Sequence, residues 1–136
     1  MGHGIGIVLL ALAGSCAGST IAPGDQRVPA SEWGGDHVGL TVTEAGAHVE
    51  FDCAHGDIGQ PLIVDSRGNL AVDGVYVQER PGPVRIGEDP DKKPARYAGR
   101  VDGSRMTLSV TLKDSNEAIG TFTLTRGAAS GVHKCL

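Results

Sequence analysis

Residue types that bind metal ions or transfer protons are densest over residues 47–57, in the stretch AHVEFDCAHGD. Together with one histidine just upstream, these residues are His37, His48, Glu50, Asp52, His55 and Asp57. Imidazole and carboxylate groups are ligands for zinc and other divalent cations. The polar residues at 48, 50 and 52 alternate with Val49 and Phe51, however, which puts them on the polar face of a strand. His55 and Asp57 are expected in the turn that follows this strand. We therefore expect a solvated surface here and no metal site.

Cys16 follows an apolar run, residues 5–13, that has the length of the hydrophobic region of a secretory signal. These nine residues are too few to cross a bilayer as a helix. The residues AGSC at 13–16 resemble the lipobox of bacterial lipoproteins, although Ala13 stands where that consensus has leucine. The resemblance implies export to the cell envelope and lipidation of Cys16. A buried first strand is the alternative.

The other two cysteines are Cys53 and Cys135. An exported compartment oxidises thiols, so an even pair predicts a disulfide that ties the C-terminus to an early strand. The alternatives are a pair of metal thiolates, or a catalytic thiol activated by His55, two residues after Cys53. We favour the disulfide because it agrees with the predicted export.

Composition and motifs argue against nucleic-acid binding and against catalysis. The 136 residues include 12 Lys and Arg and 16 Asp and Glu, for a net charge of −4, and the basic residues are scattered among the acidic ones. The nucleophile-elbow, zinc-protease and phosphate-loop motifs do not occur in the sequence. We expect no enzyme activity and no cofactor. We also expect a monomer that contacts the membrane only through its lipid.

Short alternating apolar runs separated by turn residues fill the chain beyond residue 32. The predicted hairpin pairs are Leu40 with Phe51, Val64 with Leu70, Tyr97 with Leu108, and Leu108 with Leu124, with a bulge at Asp73 and Gly74. This gives seven strands, with an eighth in the last residues, GVHKCL. Closure of the meander into a small up-and-down barrel would bury the apolar face and remove the edges.

The predicted fold class is therefore all-β, an antiparallel meander of seven or eight strands closed into a barrel, with a β-sandwich as the alternative. The predicted organisation is a signal peptide over residues 1–16, a flexible tether over residues 17–32 and the barrel over residues 33–136. The tether is rich in small residues and proline and has no periodic apolar face.

The meander, the chain length and Trp33 just before the first strand resemble the calycin-type barrels, namely lipocalins, fatty-acid-binding proteins and avidins. The lipocalin Gly-x-Trp motif is absent, because Ser31 and Glu32 precede Trp33. The chain is also similar to uncharacterised secreted or lipoprotein barrels of bacteria. An eight-stranded barrel can hold one small ligand. The inward residues expected to bind a small apolar ligand are Leu40, Phe51, Val72, Tyr97, Leu108 and Phe122.

A second candidate is the long irregular stretch over residues 79–96, which contains four prolines. Its basic residues include Arg80, Arg85, Lys92 and Lys93. They could meet an anionic ligand at the barrel mouth, or the stretch could be a plain solvated connector. If the barrel interior is filled, the outer surface or the loops would instead bind an envelope protein, for example as a hydrolase inhibitor.

Overall fold

Antiparallel strands make up the regular structure of this chain. The computed structural model describes residues 24–80 and 91–135, together with Gly2 and Gly4. The strands are β1 (Gln26–Arg27), β2 (Ser31–Gly35), β3 (Val38–Val42), β4 (Ala47–Phe51), β5 (Ala54–Ile58), β6 (Ile63–Val64), β7 (Asn69–Gln78), β8 (Lys92–Asp102), β9 (Arg105–Leu112) and β10 (Ala118–Arg126). The described part of the chain has no helix long and apolar enough to span a membrane.

Eight strands close into one barrel, in the order β10-β2-β3-β4-β5-β7-β8-β9, while β1 and β6 form a separate two-stranded sheet. Every neighbouring pair in the barrel is antiparallel. The predicted all-β, up-and-down barrel is therefore confirmed. The alternative β-sandwich is not formed.

The core lies inside the barrel, where the inward residue of each apolar–polar pair along a strand is buried. The largest side chains in it include Trp33, Tyr97 and Met106, all of them almost fully buried. Burial of each large apolar side chain contributes about 1.5–3 kcal/mol. The buried core and the paired strands place the outward-facing side chains in rows on the barrel surface.

The barrel closes between β2 and β10, which share only two register pairs, between residues 33–34 and residues 125–126. A Cβ atom at Gly35 would lie 2.0 Å from the carbonyl oxygen of Thr123. Because real Cβ atoms do not approach an oxygen so closely, glycine is required here for β10 to reach β2.

Three predicted hairpins are present, but each has a register two residues away from the predicted one. The observed pairs are Leu40 with Val49, Tyr97 with Val110, and Leu108 with Phe122. In the hairpins of β3 with β4 and of β8 with β9, the position of the turn explains the difference. Residues 43–46 form a turn in which the Thr43 amide donates to the carbonyl of Gly46 at 2.8 Å. In the hairpin of β8 with β9, Asp102 pairs with Arg105, so the two turn residues are 103 and 104 rather than 102 and 103.

The segment after Cys53 departs further from the prediction. His55 and Asp57 were expected in a turn, but they lie in β5, which pairs with both β4 and β7. The inward residues of β5 are Ala54, Gly56 and Ile58, and because only Ile58 is a large apolar residue the apolar alternation there is weak.

Val64 and Leu70 are not strand partners as predicted: β6 belongs to a sheet with β1 alone, and the chain turns between Asp65 and Asn69, where the Asp65 amide donates to the Asn69 carbonyl at 3.0 Å. The two residues are joined by a turn in which Gly68 has a φ of 85°. The predicted bulge at residues 73–74 is absent, since β7 and β8 pair without interruption from residue 69 to residue 77. The irregularity instead lies in β10, between Ala118 and Gly120.

The ends of the chain also differ from the prediction. The eighth barrel strand is β2 and not the C-terminal segment, which makes a single bridge between Asp36 and Gly131. Of the predicted tether, residues 24–32 contain β1 and the start of β2, and Val28 is buried. Residues 17–23 and Cys16 lie outside the described residues, as does the predicted signal peptide apart from Gly2 and Gly4.

Candidate functional site

The six residues predicted to line a ligand site all belong to the barrel core or pack against it. They are Leu40, Phe51, Val72, Tyr97 and Leu108, which are buried, and Phe122, which is partly buried. The centroid of the Phe51 ring lies 5.3 Å from that of Phe122 and 5.6 Å from that of Tyr76. These are the spacings of packed aromatic pairs. The predicted site residues therefore contact one another as a core cluster.

Tyr97 fills the middle of the barrel beside β5. Its hydroxyl donates a hydrogen bond to the carbonyl of Val75 at 2.7 Å. Burial raises the pKa of Tyr97, and the nearby Asp57 and Tyr76 raise it further, so the hydroxyl remains a neutral donor. A Cβ atom at Gly56 would lie 2.0 Å from this oxygen. The tyrosine thus occupies the space that the glycine leaves free.

The predicted polar face of β4 is present and continues onto β5, and its side chains pair with one another. Nδ1 of His48 lies 2.7 Å from Asp57 Oδ1, and its Nε2 lies 2.5 Å from Glu50 Oε1. A neutral imidazole has only one N–H group, so both contacts are favourable only in the protonated ring. The hydrogen bond with Asp57, assisted by Glu50 and opposed by burial, raises the pKa of His48.

Lys134 reaches this polar face from the C-terminal end of the chain. Its Nζ donates to the carbonyl of Ala54 at 2.9 Å, contacts Glu50 and lies 3.1 Å from both carboxylate oxygens of Glu79. Burial lowers the pKa of Lys134, but the hydrogen bonds to Glu50 and Glu79 outweigh this and raise it. Conversely, burial raises the pKa values of the two carboxyls, but Lys134 leaves both lowered.

This cluster is an ion-pair network rather than an open metal site. Nδ1 of His55 lies 3.0 Å from Glu79 Oε1, which extends the network to the end of β7. Among the described residues, no three or more histidine, cysteine, aspartate or glutamate side chains are arranged to hold a metal ion. The paired charges instead attach the C-terminus to the barrel wall.

Residues 127–135, which we call the C-terminal strap, cross the outside of the barrel. Gly34 and Gly39 are register partners on β2 and β3. A Cβ atom at Gly34 would lie 2.3 Å from the carbonyl oxygen of Ala128, and one at Gly39 would lie 2.7 Å from Cβ of Ser130. Because neither glycine has a side chain, the strap can lie directly against the backbone of β2 and β3.

The far end of the strap is fixed at three points. The backbone amide of His133 donates to Asp52 Oδ1 at 2.7 Å, Lys134 joins the ion-pair network, and Cys135 forms a disulfide with Cys53. The predicted disulfide is confirmed. It joins the strap to the turn between β4 and β5.

The four basic residues that were predicted to lie in one loop do not all lie in it. Lys92 and Lys93 are the first residues of β8, because β7 and β8 remain paired as far as Val77 and Lys92. Their placement in the loop was therefore wrong. Arg80 is exposed after the end of β7, and Arg85 lies outside the described residues. Whether Arg80 and Arg85 contact an anion stays a prediction.

Two of the cavities that the described residues form lie on the outside of the barrel. The larger, of 590 Å³, is at the end opposite the disulfide, between the β1–β6 sheet and the turns that precede β7 and β9. Four arginines line it, namely Arg27, Arg67, Arg100 and Arg126, and we call it the arginine groove. The smaller, of 330 Å³, is lined by Arg96, Thr111, Leu112, Lys113 and Asn116.

Sequence reasoning missed the arginine groove, because its four arginines come from four distant parts of the chain. No protein-family model, curated protein or solved structure matches the chain. The likeness to calycin-type barrels therefore rests on the closed, eight-stranded antiparallel barrel.

Proposed function

We propose that this protein is a non-enzymatic binding module of the cell envelope, with the barrel as a rigid scaffold and the ligand bound outside it. The packing of the interior carries this proposal. Trp33, Tyr97 and Met106 are buried in one core cluster, whereas the cavities of 590 and 330 Å³ are on the outer surface. Small-molecule sites commonly occupy about 300–1,000 Å³. Binding outside the barrel leaves this core intact.

Export and a lipid anchor on Cys16 are part of the same proposal. The Cys53–Cys135 disulfide supports export, because disulfides persist in oxidising compartments. Absence of catalysis is also proposed, and the ion-pair network supports it. Both ring nitrogens of His48 and the ammonium group of Lys134 contact carboxylates, which leaves His48 no ring nitrogen to take a proton from a substrate.

A small apolar ligand inside the barrel is the alternative, since an eight-stranded barrel can enclose one small molecule. Such a ligand would have to displace core side chains such as Tyr97 or Phe51. An envelope protein, including an inhibited hydrolase, stays a prediction for the partner and would also bind outside.

Native mass spectrometry of the protein purified from its own envelope, without denaturant, tests the proposal. We expect a diacylglyceryl group on Cys16, the loss of two hydrogens for the disulfide, and no retained apolar molecule. Leu108→Ala is the positive control, because an apolar cavity opened in the core should bind benzene. A retained apolar molecule that Val72→Phe expels would overturn binding outside the barrel. Free thiols at Cys53 and Cys135 would overturn export.

A further inference from the structure

The arginine groove is a basic region on an acidic protein. Its lining contains four arginines and two carboxylates, those of Asp65 and Asp102, so four positive and two negative charges give +2. The whole chain carries −4. A concave site whose charge is opposite to that of its surroundings attracts anions in preference to cations.

The carboxylate of Asp65 forms no ion pair with these arginines and makes its hydrogen bonds within its own turn. Its Oδ1 accepts hydrogen bonds from the backbone amides of Arg67 at 2.8 Å and Asn69 at 2.9 Å, and its Oδ2 accepts one from Asn69 Nδ2 at 3.2 Å. The amide of Asn69 contributes most to lowering the pKa of Asp65. None of the four arginines forms an ion pair with a carboxylate of the residues that the structure describes.

Contacts of the fold hold one turn of the groove and one of its arginine side chains in place before a ligand binds. Arg67 lies in a turn whose Gly68 carbonyl accepts a hydrogen bond from the Val101 amide at 2.8 Å, which ties the turn to the end of β8. The guanidinium of Arg126 lies 5.1 Å from the centroid of the Trp33 ring, a cation–π contact. Preorganised arginines lose less conformational freedom when they bind an anion.

We propose that the arginine groove binds a phosphate group. The planar guanidinium group matches phosphate with two parallel hydrogen bonds. A phosphate monoester carries a charge of about −1.5 to −2 at neutral pH, which balances the +2 of the groove. This inference rests on the proposed function and deepens it, because it names the chemical class of ligand that the outer surface binds.

Two kinds of molecule can present a phosphate group to the groove. One is a small soluble phosphorylated molecule, for which 590 Å³ is enough room. The other is a phospholipid headgroup. The groove begins at Gly24, eight residues after Cys16, and eight residues extend to at most about 28 Å. A lipid on Cys16 would therefore keep the groove close to the membrane surface.

Two probes distinguish these sources in the full chain carrying Cys16→Ser, which removes the anchor. Inorganic pyrophosphate, titrated by calorimetry, reports binding of a soluble phosphate. Flotation with vesicles of phosphatidylglycerol and phosphatidylcholine, against vesicles of phosphatidylcholine alone, reports binding of a headgroup. We expect at least one probe to bind, and Arg67→Gln with Arg100→Gln to weaken it at least about ten-fold. Pyrophosphate binding indicates the soluble source, and binding to vesicles alone indicates the lipid.

The matched control is Lys92→Gln with Lys93→Gln, which also removes two positive charges but at the start of β8, the end of the barrel opposite the groove. It should bind both probes like the parent chain, and circular dichroism should show the barrel in all three proteins. If the control weakens binding as much as the groove variant, net charge and not the groove attracts phosphate. If the parent chain binds neither probe, the inference fails. The proposed function is judged separately, by the absence of an internal ligand in the native mass spectrum.

Discussion

His48 lies between two carboxylates, and its ring can donate a hydrogen bond to both of them only when it is protonated. If the ring lost that proton, one nitrogen would present a lone pair to Asp57 or Glu50, and attraction would become repulsion. The His48 side chain is 44% exposed, so solvent screens the pairs. Exposed ion pairs contribute about 0.2–1 kcal/mol. The charge on His48 therefore makes the stability of the barrel mildly dependent on pH near neutrality.

We expect His48→Gln to remove one component of this pH dependence. The pKa of His48 is higher in the folded chain than its ordinary value of 6.5. The stabilisation is therefore complete below that value and is lost as pH rises through the raised pKa. Urea unfolding at about pH 5.5 and about pH 8.5 should show a difference smaller by roughly 0.5 kcal/mol in the variant. Asp57→Asn should reduce the difference in the same direction, and an unchanged difference in both variants would contradict this account.

Along the strands, alternation predicts which face a residue occupies but not its exact partner. A register shift of two residues keeps every side chain on its face, so the apolar pattern cannot detect it. The pairing of Leu40 with Val49 depends instead on the turn at residues 43–46, where Thr43 Oγ1 accepts a hydrogen bond from the Gly46 amide at 3.2 Å. That turn contains neither an Asn-Gly nor an Asp-Gly pair to mark its position.

The sequence did not predict strand β5 because a side chain from another strand fills the interior space beside it. Its inward Gly56 leaves a gap, and the Tyr97 hydroxyl from β8 fills it. The local sequence AHGDI therefore has one large apolar residue, Ile58, which is too few to show the alternation by which a strand is recognised. A prediction would have needed to know that β5 and Tyr97 face each other.

Gly56→Ala should destabilise the barrel strongly, because the new Cβ would lie 2.0 Å from the Tyr97 hydroxyl and 2.7 Å from the carbonyl oxygen of Val75. Overpacking of this kind costs about 1–3 kcal/mol. Tyr97→Phe alone should cost about 1 kcal/mol, for the lost hydrogen bond. The double variant should lose less than the sum of the two, because the hydroxyl is gone. Urea unfolding of all four proteins gives this coupling, and strict additivity would show that Tyr97 does not fill the gap.

At the scale of the molecule, the barrel was predictable but the features on its surface were not. Short apolar alternations and the need to protect edges predicted closure, and an even pair of cysteines predicted the disulfide. The arginine groove assembles only after closure brings residues 27, 67, 100 and 126 to one end. The strap was predicted as a strand, yet it lies outside the barrel, where Gly34 and Gly39 leave room for it.

The disulfide should contribute more to stability than any other contact of the strap. Cys53 and Cys135 are separated by 82 residues, and a loop of that length corresponds to about 4.5 kcal/mol in the chain-entropy model. Domains of this size have about 5–15 kcal/mol in total. We therefore expect Cys53→Ser with Cys135→Ser to leave a folded but less stable barrel.

The strap should also loosen locally in that variant. The ion pairs and hydrogen bonds of Lys134, and the backbone hydrogen bonds at Gly127, Gly131 and His133, would still hold it. Hydrogen exchange should show lost protection over residues 128–135 while β8 and β9 stay protected. Lys134→Gln, which keeps the disulfide, is the matched control and should cost only about 1 kcal/mol. If the double serine variant loses no more stability than this control, the ion pairs hold the strap and the disulfide is secondary.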